Sequence, residues 1–217
     1  MSEKKKNIRI TTPAGISKYP RLQKPDTKFK SQGEYSVSLV IANEKCAELC
    51  ALLDPMAEEA YQAALAEPKN VLAAKAKKKT ITKNEPYSPE LDAEGNETGN
   101  TIFKFKMNAQ AEIKGELKIF KPNLFDAKGA PITKDIGIFG GSVLKVNFTP
   151  TPYYTAATFC AGISLRLNAA QVIKLVSGGY DAASCGFGVE ADGYEVEAAA
   201  APEAGAAGDG AAAAPDF

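Results

Sequence analysis

The sequence contains no histidine in 217 residues. That absence removes the commonest general base, the usual metal-binding imidazole and every nucleophile activated by histidine, so catalysis is not the expected function. Cysteine is scarce: Cys46, Cys50, Cys160 and Cys185 form no Cys-x-x-Cys pair and lack a histidine to complete a zinc site, so no metal or other cofactor is expected. Cys46 and Cys50 lie one helical turn apart in an Ala/Leu-rich stretch and read as small buried hydrophobes, and a disulfide framework is not expected in a reducing compartment. No apolar run approaches the roughly 18 to 20 residues of a membrane span. Met1-Ser2-Glu3-Lys4-Lys5-Lys6 has no apolar stretch behind its lysines, so no secretion signal is expected and the cytosol is the expected location. What remains is 45% hydrophobic and 24% charged, sufficient for one compact domain with appendages.

Charge is balanced in total and segregated along the chain. Residues 1–180 hold all 26 basic groups and 18 acidic ones, a net +8, whereas residues 181–217 hold eight acids and no base, a net −8. A basic body suits sequence-independent binding of a polyanion, and an acidic end can compete for the same surface. From Ala198 to Phe217 there are 11 alanines, 3 glycines and 2 prolines without apolar periodicity, so a disordered tail is expected over 197–217. It ends in Pro215-Asp216-Phe217, an aromatic beside the terminal carboxylate, which suggests a tip for docking to a partner.

The body, 1–196, reads as short strands interrupted by a helical insertion at about 44–78. Tyr35, Val37, Leu39 and Ile41 alternate with smaller residues as a half-buried strand does. Asn43 is placed to cap a helix over Lys45 to Leu53, Asp54-Pro55 to open a second over Met56 to Glu67, and Pro68 a third toward Lys77. Residues 85–100 carry two prolines and two glycines and form a loop or hairpin tip. Strands resume over Ile102 to Met107 and Ala111 to Phe120, a turn falls at Asp126 to Gly129, and strands follow over Val143 to Thr149 and Thr158 to Leu167. A short helix is expected from Asn168 or Ala169 to Val176. Mainly β structure with a helical insertion suggests a five-stranded OB-fold barrel, although periodicity alone does not separate barrel from sandwich.

Periodicity does sort the faces. Phe103, Phe105 and Met107 oppose Lys104 and Lys106; Leu144, Val146 and Phe148 oppose Lys145; Phe159, Ala161, Ile163, Leu165 and Leu167 oppose Arg166; and Ile113, Leu117 and Ile119 oppose Lys118 and Phe120. Each strand thus keeps a cation on the face turned from the core. A soluble sheet often does so for solubility alone, but here aromatics are interleaved: Phe120, the loop residues Tyr153 and Tyr154, and Tyr19 and Tyr87. Cations that follow a backbone and rings that stack on bases bind single strands without sequence readout. The candidate DNA-binding residues are therefore Lys104, Lys106, Lys118, Phe120, Lys145, Tyr153, Tyr154 and Arg166. Asp126 and Asp135 form a weak metal-dependent nuclease alternative, and Lys75 to Lys79 read equally as a solvated helix end, a localisation patch or a phosphate contact.

Four stretches in this order resemble the bacteriophage single-stranded DNA-binding, helix-destabilising proteins. They are Gly162-Ile-Ser-Leu-Arg-Leu-Asn-Ala-Ala-Gln-Val-Ile-Lys-Leu175, Phe125-Asp-Ala-Lys-Gly129, Phe187-Gly-Val-Glu-Ala-Asp-Gly-Tyr194, and the acidic end at Phe217. The resemblance implies an OB-fold with a helix against the barrel, a basic aromatic groove, and coating of single-stranded DNA during replication, recombination and repair. It also implies autoinhibition by the tail and recruitment of replication proteins, such as a polymerase or helicase, through Asp216 and Phe217. The tail departs from the pattern, with only three acids after Glu197. The alternative from another class is a protein-binding scaffold component of a phage particle.

Overall fold

The computed structural model describes residues 8–28, 30–113 and 115–176. Cys185, the segment 187–194 and the acidic end with Asp216 and Phe217 lie outside the described residues.

The chain opens with β1 (Ile10–Thr11), β2 (Gly15–Asp26) and β3 (Glu34–Ala42), followed by α1 (Asn43–Ala66) and α2 (Pro68–Ala76). Next come β4 (Thr82–Asn84), β5 (Tyr87–Leu91), β6 (Glu97–Asn108), the small pair β7 (Gln110–Ile113) and β8 (Glu116–Ile119), and β9 (Asn123–Phe125). The long strands β10 (Val143–Thr155) and β11 (Cys160–Lys174) complete it.

Five strands form a closed ring. β2 pairs antiparallel with β3, β3 with β6, β6 runs parallel to β11, β11 pairs antiparallel with β10, and β10 returns to β2 through Val143 and Leu144. A meander of three strands joined in parallel to the fifth, with the fourth closing on the first, is the OB-fold order, and the helices are inserted between its second and third strands. Closure leaves these strands one interior, and alternation fills it: Val37, Leu39, Ile41, Phe103, Phe105, Leu144, Val146, Phe148, Leu165 and Leu167 are all buried. Phe105 and Phe148 meet there with centroids 5.1 Å apart. The face sorting of β3, β6, β10 and the first half of β11 is therefore the observed one.

Helix α1 covers one end of the barrel through Cys46, Leu49, Leu53, Ala57, Ala60 and Ala64, a stripe at three- and four-residue spacing. The expected break at Asp54-Pro55 does not occur, and one helix runs through Pro55. Proline removes the bond to the carbonyl of Ala51, but both residues are exposed, where water can meet that carbonyl, while Leu53 and Ala57 on the other side are fully buried. The helix also starts without the expected cap. Asn43 is its first residue, and its Oδ1 accepts from the Thr101 hydroxyl at 2.8 Å, tying the helix to β6.

The expected helix after Asn168 is strand. β11 continues to Lys174 between β10 and the parallel β9. The register slips at Asn168, which is skipped between Leu167 and Ala169, and its side chain donates to Asn147 and Thr149. That bulge changes the parity of the buried positions from Leu165 and Leu167 to Ala170 and Val172. The slip interrupts the period-2 alternation of β11, which is why the strand lacks a strand's pattern there.

The expected strand from Ala111 to Phe120 is also different. It folds into the β7–β8 hairpin, turning at Gly115 with φ +82°, and pairs with no other strand among the described residues. Leu117 and Ile119 are 63% and 76% exposed, so their assignment to a core face is wrong. The turn at Asp126 to Gly129 forms as expected, with Asp126 Oδ1 accepting from the N–H groups of Lys128 and Ala130.

Candidate functional site

A groove of about 1190 Å³ lies on the outside of the barrel, floored by β3, β6 and β11 and walled by the end of β10 and the segment 84–88. Its cations are Lys30, Lys104, Lys106 and Arg166, and its anions are Glu34 and Glu85. β6 brings Lys104 and Lys106 because Phe103, Phe105 and Met107 are anchored inside the barrel. Arg166 stands opposite Lys106 in the parallel β6–β11 register, again because Leu165 and Leu167 point inward.

Five of the eight candidate residues line this groove: Lys104, Lys106, Phe120, Tyr153 and Arg166. Three do not. Tyr154 is not in a loop: it sits beside Tyr153 near the end of β10, and neighbouring strand residues face opposite sides. It packs on a second apolar cluster of Ala64, Ala74, Ile81, Phe159 and Ala161, where its buried hydroxyl has no hydrogen-bond partner among the described residues. Tyr153 turns into the groove, where its hydroxyl accepts from Asn84 Nδ2 at 2.5 Å. Lys145 is exposed on β10 beyond the groove's lining, near the β2 closure. Lys118 is exposed on β8 and does not line the groove, although its register partner Ala111 does.

Tyr19, an aromatic expected in a loop, is not among the eight candidates. Tyr19 lies in β2 where the register with β3 slips between Lys18 and Arg21. It adopts φ +50°, is 85% exposed and lines the groove. A left-handed conformation costs a non-glycine residue roughly 1–3 kcal/mol, and bulges re-aim side chains. A bulky ring held in strain over a charged groove, with most of its surface in water, is a ready stacking platform. Pro20 beside it has no N–H to give to the β3 ladder and is the local signal for that bulge. Tyr87 also lines the groove, but its hydroxyl donates to Asp54 at 2.6 Å and its ring packs on Phe103 at 5.4 Å, so it serves as a strut to α1. Burial and the Asp54 carboxylate push that hydroxyl's pKa above its ordinary value.

The groove's electrostatics are uneven. Glu34 at its floor engages Lys106 at 3.0 Å and also Lys30. Partial burial pushes Glu34 upward, but the hydrogen bonds from Lys30 and Lys106 outweigh it and hold the carboxyl below its ordinary pKa. Lys104 and Arg166 have no carboxylate partner among the described residues. Two cations thus stand ready and two are held by an internal anion.

Asp126 and Asp135 do not converge on a metal site. Asp126 caps its turn, and Asp135 pairs with Lys24 at 2.9 Å. No cluster of three or more metal-ligating side chains occurs among the described residues. No helix among them is long and apolar enough to cross a membrane.

The family model described as "Single-stranded DNA-binding protein, Bacteriophage T7" matches residues 14–175. The single-stranded DNA-binding protein of Enterobacteria phage T3 is 31% identical over 172 residues, covering 74% of this chain and 73% of its own. That of Escherichia phage T7 is 30% identical over 186 residues, covering 81% and 79%. The crystal structure of gp2.5, a single-stranded DNA-binding protein encoded by bacteriophage T7, superposes with a TM-score of 0.65 at 27% identity, over 88% of this chain and all of that one. A truncated single-stranded DNA-binding protein of bacteriophage Enc34 shares the fold at 13% identity, with a TM-score of 0.51 over 78% of this chain and 87% of that one.

Proposed function

We propose a function from one established premise: the chain belongs to the bacteriophage T7 single-stranded DNA-binding protein family. It binds single-stranded DNA without sequence readout, coating strands exposed during phage replication, recombination and repair in the host cell. The reading is of a binding protein and not an enzyme.

One observation carries it: Lys104, Lys106 and Arg166, with the rings of Tyr19, Phe120 and Tyr153, come from five separate places in the chain and line one groove. A single strand laid there meets cations spaced along its backbone and rings for its bases, with stacking worth roughly 1–3 kcal/mol per base. The strand's phosphates displace Glu34 from Lys106, so the groove trades an internal anion for the ligand's. The OB-fold's second and third strands supply the floor, the usual oligonucleotide face of this barrel.

The domain reading follows: a DNA-binding body over 1–196 and an acidic end over 197–217. That end, with Asp216 and Phe217 at its tip, competes with DNA as a polyanion and recruits replication proteins. Removing Ala198 to Phe217 is expected to tighten binding at low salt and to weaken partner capture. The cytosol of the infected host is the proposed compartment.

The test is a titration of fluorescent oligo-dT and a matched duplex at two salt concentrations. Tight oligo-dT binding that weakens linearly on a log-log salt plot, with weaker duplex binding, supports the reading. Indifference to oligo-dT in dilute buffer overturns it.

A further inference from the structure

The positive surface continues past the groove. From the last turn of α2 toward β4 the chain reads Lys75-Ala-Lys77-Lys78-Lys79, and all four lysines are exposed. None has a carboxylate partner among the described residues. Lys83, a little further on, shows the contrast: it sits 3.2 Å from both Glu58 and Glu85 and is neutralised. Four uncompensated cations within five residues repel one another, and an anion arriving there relieves the repulsion.

The run is held in place and does not trail from a frayed helix end. The ammonium groups of Lys77 and Lys79 lie 5.8 and 6.0 Å from the centroid of the Phe159 ring, within cation–π range. The N–H groups of Lys77 and Lys79 both donate to the Ala74 carbonyl, closing the helix around a left-handed Lys78 at φ +53°. Phe159 ends the turn between β10 and β11, and its carbonyl accepts from the Thr82 N–H at 2.9 Å. β4 then runs parallel to the start of β11. The two backbones approach so closely at Gly162 that a Cβ there would lie 2.4 Å from the Asn84 carbonyl oxygen.

These attachments join the lysine run to one end of the groove. Asn84, at the end of β4, donates to Tyr153, and Tyr153 and Thr155 line the groove just before the turn that Phe159 ends. Lys79 and Asn84 are five residues apart, a separation of at most about 17 Å.

We propose that Lys75, Lys77, Lys78 and Lys79 form a second phosphate-binding section, which takes the backbone of single-stranded DNA as it leaves the groove past Tyr153 and Asn84. The section differs in chemistry from the groove. Phe159 is only 2% exposed and offers no face for stacking, so the lysines hold phosphates and leave the bases free. Lysine suits this as a hydrated point charge that tolerates many phosphate positions. The proposal rests on the single-stranded DNA reading and extends it to a longer footprint.

The test uses the full chain with a short oligo-dT that fills only the groove and a long one that reaches the run. The main variant is Lys75→Gln with Lys78→Gln, since neither residue touches Phe159. A second variant, Lys77→Gln with Lys79→Gln, is melted alongside to separate loss of charge from loss of the ring contact. The expected result for Lys75→Gln with Lys78→Gln is unchanged binding of the short probe. Affinity for the long probe in dilute buffer should fall about tenfold, and its log-log salt slope should fall by about 1.4, two phosphates at about 0.7 each. Equal losses on both probes, or none on either, overturn the extension while leaving the groove reading intact. A wild-type chain that binds neither probe overturns both.

Discussion

Strand β6 and the β7–β8 hairpin follow one another in the chain and carry the same kind of pattern, apolar residues alternating with lysines. In β6 the apolar set is sealed into the barrel, with Phe103 and Phe105 fully buried, and Lys104 and Lys106 are forced into the groove. In the hairpin Leu117 and Ile119 stay in water, and Lys118 reaches no groove. Alternation therefore assigns faces only where a second layer exists to receive one of them, and a closed ring of strands provides that layer for β6 alone. The hairpin borders the groove through Ala111 and Ile113 but lies outside the closed ring, and a two-stranded ribbon by itself is at best marginal in water.

The contrast is sharpest in stability. Phe105→Ala is expected to cost about 3–5 kcal/mol in chemical denaturation, as full truncation of a buried aromatic does. Leu117→Ala should stay within about 0.5 kcal/mol of wild type. A comparable loss at Leu117 would mean that the hairpin is covered after all.

The next contrast lies between two tyrosines. Tyr19→Ala should weaken oligo-dT binding by about 1–3 kcal/mol, the stacking range, without loss of stability. Tyr154→Phe should leave DNA affinity unchanged and raise the melting temperature slightly, because it deletes a buried hydroxyl that has no partner among the described residues. Exchange of these two results would reverse the assignment of faces at both positions.

Smaller effects follow from the internal anions. Glu34→Gln frees Lys30 and Lys106, so oligo-dT affinity should rise a few-fold in dilute buffer, measured by fluorescence titration. Glu90, which accepts from Lys18, Thr98 and Asn100, has a carboxyl held down to about 2 by those hydrogen bonds. Because its folded value is depressed, the stability it adds is complete above the ordinary value of 4.5 and is lost as pH falls from there toward 2. Glu90→Gln should flatten the stability profile in that window and little elsewhere, as followed by denaturation at a series of pH values.

Much of the barrel was legible because its strands bury one face each. The interior positions of β3, β6, β10 and the first half of β11 could be read directly, and with them the outward Lys104, Lys106 and Arg166. What escaped was set by events that strand alternation does not record. The bulge at Asn168 changed parity within β11 and made a strand resemble a helix, while the bulge around Tyr19 turned a ring into the groove. Proline at position 55 suggested a break that the burial of Leu53 and Ala57 overrides. Tyr153 and Tyr154 were read together as loop residues, whereas a strand must send them to opposite sides. Lys145 faces outward as expected, but an outward lysine on a barrel joins a particular groove only if its strand position lies along it.

The most direct measurement of the central claim is the salt dependence of oligo-dT affinity for wild type, for Lys104→Ala with Arg166→Ala, and for Lys145→Ala. Convergence of the cations in one groove predicts a log-log slope lower by about 1.4 for the double variant, with weaker binding throughout, and a slope equal to wild type for Lys145→Ala. A double variant that keeps the wild-type slope, or a Lys145→Ala variant that loses as much per charge, would contradict it.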